Sequence, residues 1–321
     1  MTGSDRRLPD RTTFTPMSVY VLRITSGLAG LSATLCALAI ILAHGLKLGA
    51  GDLLFETNRA GNWDIVWLDV ATGRTIALMD GAHDENGPSW SFDGQWIAFS
   101  ADVERDLLPE IYVMDVSGRD VRLVVGDNGS NRRPAWTPDN RSIIFMRNYR
   151  RIRQIELETG FEEEIASGFS PVWSPDGRYL AFYDDPDGRL NNDIFVFDRL
   201  TGRLYNVTAY PGSDWSPAWS PDGAWLAFAS RRDGSTDIYL LDAGCLASDA
   251  GIASCRSSVR RLTTHPGSDY DPAWSPDGAR LAYVSEQAGQ FQLRVIDADG
   301  SNDRLLFAGP GINQYPRWRP R

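Results

Sequence analysis

The chain has 321 residues, 42% of them hydrophobic and 23% charged, which excludes intrinsic disorder, and its 11 Trp, 30 Gly and 18 Pro favour many short strands and tight turns over a helix bundle. There are 32 Lys plus Arg against 42 Asp plus Glu, and the first 51 residues hold five of the bases and only two of the acids. The remainder is therefore strongly acidic, would repel a phosphate backbone, and argues against nucleic acid as a partner.

Residues 1–23 read as a short cytoplasmic tail. Ile24 to Ala43 then run for twenty positions without a charge, enough for a helix of roughly 30 Å, the thickness of a hydrocarbon core. Arg6, Arg7, Arg11 and Arg23 precede this run and only Lys47 follows closely, so the basic bias predicts a single-pass anchor with its N-terminus in the cytoplasm and the rest outside the membrane. The competing reading is a cleaved signal peptide with Ala43-His44-Gly45 as its site; the apolar run is longer than such peptides usually carry. Residues 44–51 are a short linker.

From residue 52 onwards one unit repeats. Pro-x-Trp recurs at Pro88/Trp90, Pro134/Trp136, Pro171/Trp173, Pro217/Trp219, Pro272/Trp274 and Pro316/Trp318. In five cases it runs into a turn: SFDG, TPDN or, three times, SPDG. Asp bonds the local backbone there and Gly or Asn accepts the left-handed conformation that closes a hairpin. A short apolar strand follows, as in Leu226-Ala227-Phe228, then an alternating strand such as DIYLLD at Asp237, then a weak fourth strand. Four strands every 45 or so residues is the period of a β-propeller blade. The part after the membrane run begins on a second strand, Leu53-Leu54-Phe55, and the chain ends on an orphan Pro-x-Trp strand. Together they complete one blade, which predicts an all-β, six-bladed propeller over residues 52–321, closed by its two ends so that no long edge is left unpaired. The residue before each Trp is small in five units (Ser89, Ala135, Val172, Ala218, Ala273), as inner strands crowded round an axis require; Arg317 breaks the pattern.

The units PAWSPDGAWLAFASRRDGSTDIYLLDA and HPGSDYDPAWSPDGARLAYVS resemble the WD-like repeats of TolB-type propellers. The resemblance implies a six-bladed fold and a protein-binding role in the cell envelope. TolB proteins also carry an α/β domain ahead of the propeller and a face for a peptidoglycan-associated lipoprotein. Between the membrane run and the propeller there is no room here for that domain. Similar blades precede the hydrolase domain of prolyl-oligopeptidase relatives, but this chain contains no Gly-x-Ser-x-Gly elbow.

Little else suggests chemistry. The histidines are His44, His83 and His265, too few for a metal site, and no nucleophile pairs with them, so neither an enzyme nor a bound cofactor is expected. Cys245 and Cys255, in one exported insertion with no His between them, read as a local disulfide; the third cysteine, Cys36, lies in the apolar run. The oxygen-rich loop from Asp184 to Asp193 could hold calcium, but its spacing is that of a plain turn. Three residues before each repeat Pro stand Glu85, Asn131, Gly168, Asp214, Asp269 and Asn313. These positions are expected to ring the channel mouth and, with Trp215 and Tyr270 one residue on, to receive a basic or hydrogen-bond-donating segment of an envelope protein. The competing view is that each side chain only ties its own loop. A carbohydrate or small-ligand receptor stacking its ligand on Trp63, Trp215 and Tyr270 is the alternative function. The protein is expected to act as a monomer.

Overall fold

The computed structural model describes residues 51–321 apart from 80, 81, 117, 119, 189 and 248–251; the predicted membrane run at 24–43 lies outside the described residues. Among the described residues no helix is long and apolar enough to cross a membrane. The described residues form twenty-four strands in six antiparallel four-stranded sheets, the blades of a closed propeller.

Blade I joins the chain's ends. Strand β24 (Asn313–Trp318) pairs with β1 (Leu53–Thr57), followed by β2 (Asp64–Leu68) and β3 (Thr75–Ala77). Blades II to VI each begin on an inner strand: β4 (Glu85–Trp90), β8 (Asn131–Trp136), β12 (Phe169–Trp173), β16 (Asp214–Trp219) and β20 (Ser268–Trp274). Loops joining second to third strands, and outer strands to the next inner strand, lie on one face, here the upper; the repeat turns lie on the lower.

The lower turns explain the SPDG signature. In blade V the Ser220 hydroxyl donates to Asp222 (2.5 Å) and accepts from the Trp225 amide (2.9 Å), Asp222 accepts the Ala224 amide (3.0 Å), and Gly223 sits at φ 71°. The same hydroxyl-to-carboxylate bond recurs at Ser91/Asp93, Thr137/Asp139, Ser174/Asp176 and Ser275/Asp277. It satisfies the turn's polar groups locally and releases the inner strand into the second at a fixed register.

Each motif Trp is buried between its own blade and the preceding one. Four also tie the blades by donating indole N–H to the carbonyl of the residue that precedes the neighbouring Trp: Trp90 to Arg317 (3.2 Å), Trp219 to Val172 (3.3 Å), Trp274 to Ala218 (3.2 Å) and Trp318 to Ala273 (3.1 Å). The indoles of Trp136 and Trp173 have no such acceptor. The apolar clusters follow this arrangement and span neighbouring blades.

Blade V departs from the regular pattern. Its outer strand β19 is only Arg260–Arg261, and before it a 3-10 turn (Ala243–Ala247) and a one-turn helix α1 (Ile252–Ser257) hold the disulfide between Cys245 and Cys255. Cys255 and Leu246 are buried in the cluster shared by blades IV and V. The insertion thus packs as core, rather than stapling only an outer loop.

Candidate functional site: the axial channel and the upper face

The mid-strand proline organises the channel. Having no N–H, it cannot continue the ladder to the second strand, so it belongs at a bulge. In blades II to VI the register between inner and second strand shifts across the proline and the residue before it. That preceding residue is left-handed in all six blades: Gly87 (φ 64°), Arg133 (56°), Ser170 (47°), Ser216 (52°), Asp271 (51°) and Tyr315 (54°). Five of these are not glycine, and each costs on the order of 1–2 kcal/mol. The bulge turns Arg133, Ser170, Ser216, Asp271 and Tyr315 into the lining of an axial cavity of about 190 Å³, which Arg317 joins.

Charge inside the channel is arranged in two groups. Glu56 on β1 accepts the Gly87 amide (2.6 Å) and the Gln314 side-chain amide (2.7 Å), and lies 4.0 Å from Arg133 Nη2. Asp271 accepts the Ser216 hydroxyl (2.6 Å). Burial pushes the Asp271 carboxyl above its usual range, against the lowering effect of the Ser216 bond and of Arg133 and Arg317. Arg133 lies over Tyr315, its guanidinium carbon 3.2 Å from the ring centroid, and Arg317 approaches the same ring at 5.8 Å. Burial, with the neighbouring Arg133 charge, disfavours the Arg317 cation although Asp271 favours it.

The residues expected at the mouth do something else. Glu85, Asn131, Asp214, Asp269 and Asn313 are 0–2% exposed, so their side chains do not present a negative ring to a ligand. Asn131 donates to Asp127 and the Gly129 carbonyl and accepts from Arg147 (2.9–3.0 Å). Asn313 accepts from the Thr57 hydroxyl (2.9 Å) and donates to the Phe291 carbonyl (3.0 Å). Asp214 pairs with Arg232 at 3.3 Å; burial, outweighing that cation and the Ser230 and Thr208 hydroxyls, pushes its carboxyl up to about 6. Burial likewise raises Asp269, whose carboxylate oxygens are buried without a hydrogen-bond partner among the described residues. Asn131 and Asn313 tie down the loops that enter their inner strands, as the competing view had it, and Asp214 is held by Arg232. At the sixth position a Cβ on Gly168 would meet the Phe182 ring at 2.3 Å, so no side chain fits.

Two of the three aromatic platforms are engaged as well. Trp63, Trp215 and Tyr270 are all half-buried, Arg231 covers Trp215 at 5.4 Å, and Trp215 and Tyr270 pack on the core between blades V and VI. In the acidic loop, Asp184 pairs with Arg150 (2.8 Å), Asp185 accepts the Leu190 amide (2.7 Å) and Asp193 accepts Asn206 (2.8 Å). Among the described residues no cluster of three His, Cys, Asp or Glu is arranged for a metal. His265 bonds Asp303, a carboxylate that also receives Arg294 and Tyr283.

The upper face has a feature that the repeat spacing does not reveal. Leu107, Tyr149 and Leu190 occupy the loops between second and third strands of blades II, III and IV, 76%, 64% and 91% exposed, each left-handed. Exposed Tyr210 continues the series in the loop entering blade V.

A six-bladed propeller with a polar, arginine-bearing channel is the class that these features define. The chain belongs to the TolB β-propeller domain family, whose model matches residues 18–170 and 163–321. The Tol-Pal system protein TolB of Bordetella pertussis is 38% identical over 133 residues, 41% of this chain and 28% of that protein, so the chain matches well under a third of this curated relative. TolB from Acinetobacter baumannii superposes with a TM-score of 0.68 at 23% identity, covering 87% of this chain and 69% of that one. An oligogalacturonate lyase in complex with manganese shares the fold (TM-score 0.52, 18% identity, 82% of this chain and 76% of that one).

Proposed function

We propose that the chain is a membrane-anchored, extracytoplasmic protein-binding propeller that receives an envelope protein on its upper face, beside the channel mouth, and acts as a monomer without catalysis. The observation that carries this reading is the row Leu107, Tyr149, Leu190: three apolar side chains at equivalent loops of successive blades, left in water on strained backbone. Apolar side chains grouped on one face of a soluble domain mark interaction surfaces, and strained residues persist where function over-determines them. Kinship with a Tol-Pal system protein supports a partner in the envelope, while the arginine bias ahead of residues 24–43 and the Cys245–Cys255 disulfide support an exported location. With Trp215 under Arg231 and with Trp215 and Tyr270 packed on the core, the carbohydrate-receptor alternative keeps only half-buried Trp63 as a platform.

Photocrosslinking residues placed singly at Tyr149 and Leu190 in living cells should yield discrete protein adducts, whereas Phe161 and Leu200, equally exposed on the lower face, should not. Adducts confined to the lower face, or equal on both, would overturn the reading.

A further inference from the structure

We propose that the axial channel is a carboxylate-binding site in which Arg133 and Arg317 together receive one carboxylate group. This inference stands apart from the upper-face partner and uses different residues.

The argument begins with hydrogen-bond supply. Both acids beside the channel already have donors: Glu56 takes the Gly87 amide and Gln314, and Asp271 takes Ser216. The guanidiniums are left short. Arg133 Nη1 is buried with no acceptor, and a buried unsatisfied donor on a charged group is costly. Arg317 Nη1 bonds only its neighbour's carbonyl, that of Pro316 (2.8 Å), and among the described residues no carboxylate lies within 4.0 Å of it. The two cations sit against one ring, Tyr315, which orients both. Five blades place a small residue where Arg317 stands, so its side chain enters a channel that the repeat otherwise keeps clear.

Size and charge narrow the ligand. A cavity of about 190 Å³ has the volume of roughly six waters at ~30 Å³ each, below the ~300–1,000 Å³ of ordinary ligand pockets. It seats a carboxylate with a few attached atoms, and because the cavity opens to solvent the rest of a longer chain can extend out of it. Planar guanidinium forks match a planar carboxylate, and Glu56 and Asp271 repel a doubly charged phosphate more strongly than a singly charged carboxylate.

Calorimetric titration of the purified propeller at constant ionic strength provides the test, with sodium propionate, acetyl-Gly-Gly as free acid, acetyl-Gly-Gly amide and inorganic phosphate as probes. Propionate should bind where chloride alone gives no heat, and Arg317→Ala should weaken it at least about tenfold. The melting temperature of Arg317→Ala should stay at or above that of wild type, since alanine occupies this position in three other blades. Binding of the free-acid peptide but not its amide would identify a C-terminal carboxylate as a ligand that fits; propionate alone would confine the site to small free acids, and both support the proposal. Absence of propionate binding, unchanged binding by Arg317→Ala, or phosphate binding as tight as propionate would each overturn it.

Discussion

Blades I and V complete the same four-stranded sheet by opposite means. Blade I takes its inner strand from the far end of the chain: Asn313 meets Thr57 side chain to side chain, Ile312 donates its amide to Asn58, and Arg319 bonds the Asp52 carbonyl. Blade V keeps its inner three strands contiguous, shortens the outer one to two residues and covers the gap with a disulfide-closed insertion whose Cys255 is buried. One blade depends on contacts across more than 250 residues, the other on a covalent loop closed at a separation of ten. Loss of the first removes the closure of the ring, since every blade leans on its neighbours; loss of the second is local.

Removing residues 312–321 should give the largest effect. Blade I would lose its inner strand, β1 would expose an edge, and the Trp318 indole would no longer reach Ala273 in blade VI. Thermal unfolding should lose its single cooperative transition and the protein should aggregate; one sharp melt near the full-length temperature would show that closure does not depend on β24. A milder break is Trp318→Ala, which empties the space between blades I and VI and should cost about 3–5 kcal/mol in denaturant unfolding.

Paired replacement of Cys245 and Cys255 by Ser should cost about 3 kcal/mol by loop entropy for ten residues of separation. The loss should fall on blade V and its contact with blade IV, with faster amide exchange in Tyr239 to Asp242 and little change in blade I. Uniform loss of protection would mean that the insertion holds the whole ring.

Asp214, in the same blade, gives the smallest and most specific effect. Its folded carboxyl is raised to about 6 from 3.8, so between those values the folded state holds the proton and the unfolded state does not. The stability it contributes is complete below the unfolded value and is lost as pH rises through about 6. Asp214→Asn should flatten this decline by up to about 2–3 kcal/mol between pH 4 and 7, with some stability lost at all pH values as the Arg232 pair goes. An unaltered pH profile would show that Asp214 does not titrate in this window.

Legibility differed with position along each inner strand. Its lower half was readable because the information is local: Pro, Trp and the Ser-Pro-Asp-Gly turn act on their own backbone, and their recurrence set the blade count and the closure. At the upper end, spacing correctly aligned Glu85, Asn131, Asp214, Asp269 and Asn313 but gave no hint of which way they face. Whether a carboxylate faces solvent or loop depends on where the incoming loop lies, and that depends on the neighbouring blade. Arg317 was visible as an exception to a pattern of small residues; its companion Arg133 was hidden among six dissimilar residues before proline.

Repetition alone therefore determined the all-β architecture, the number of blades, the strand order and the pairing of the chain's ends, because a period of hydrogen-bonding and apolar residues can be satisfied in few ways. Only the tertiary structure decided what surrounds each side chain. The proline bulge turns five residues of four kinds towards one axis, and six blades bring Arg133 and Arg317, far apart in the chain, against a single tyrosine. Side-chain environment in a ring is a sum over neighbours that are distant in sequence, and no local pattern encodes it.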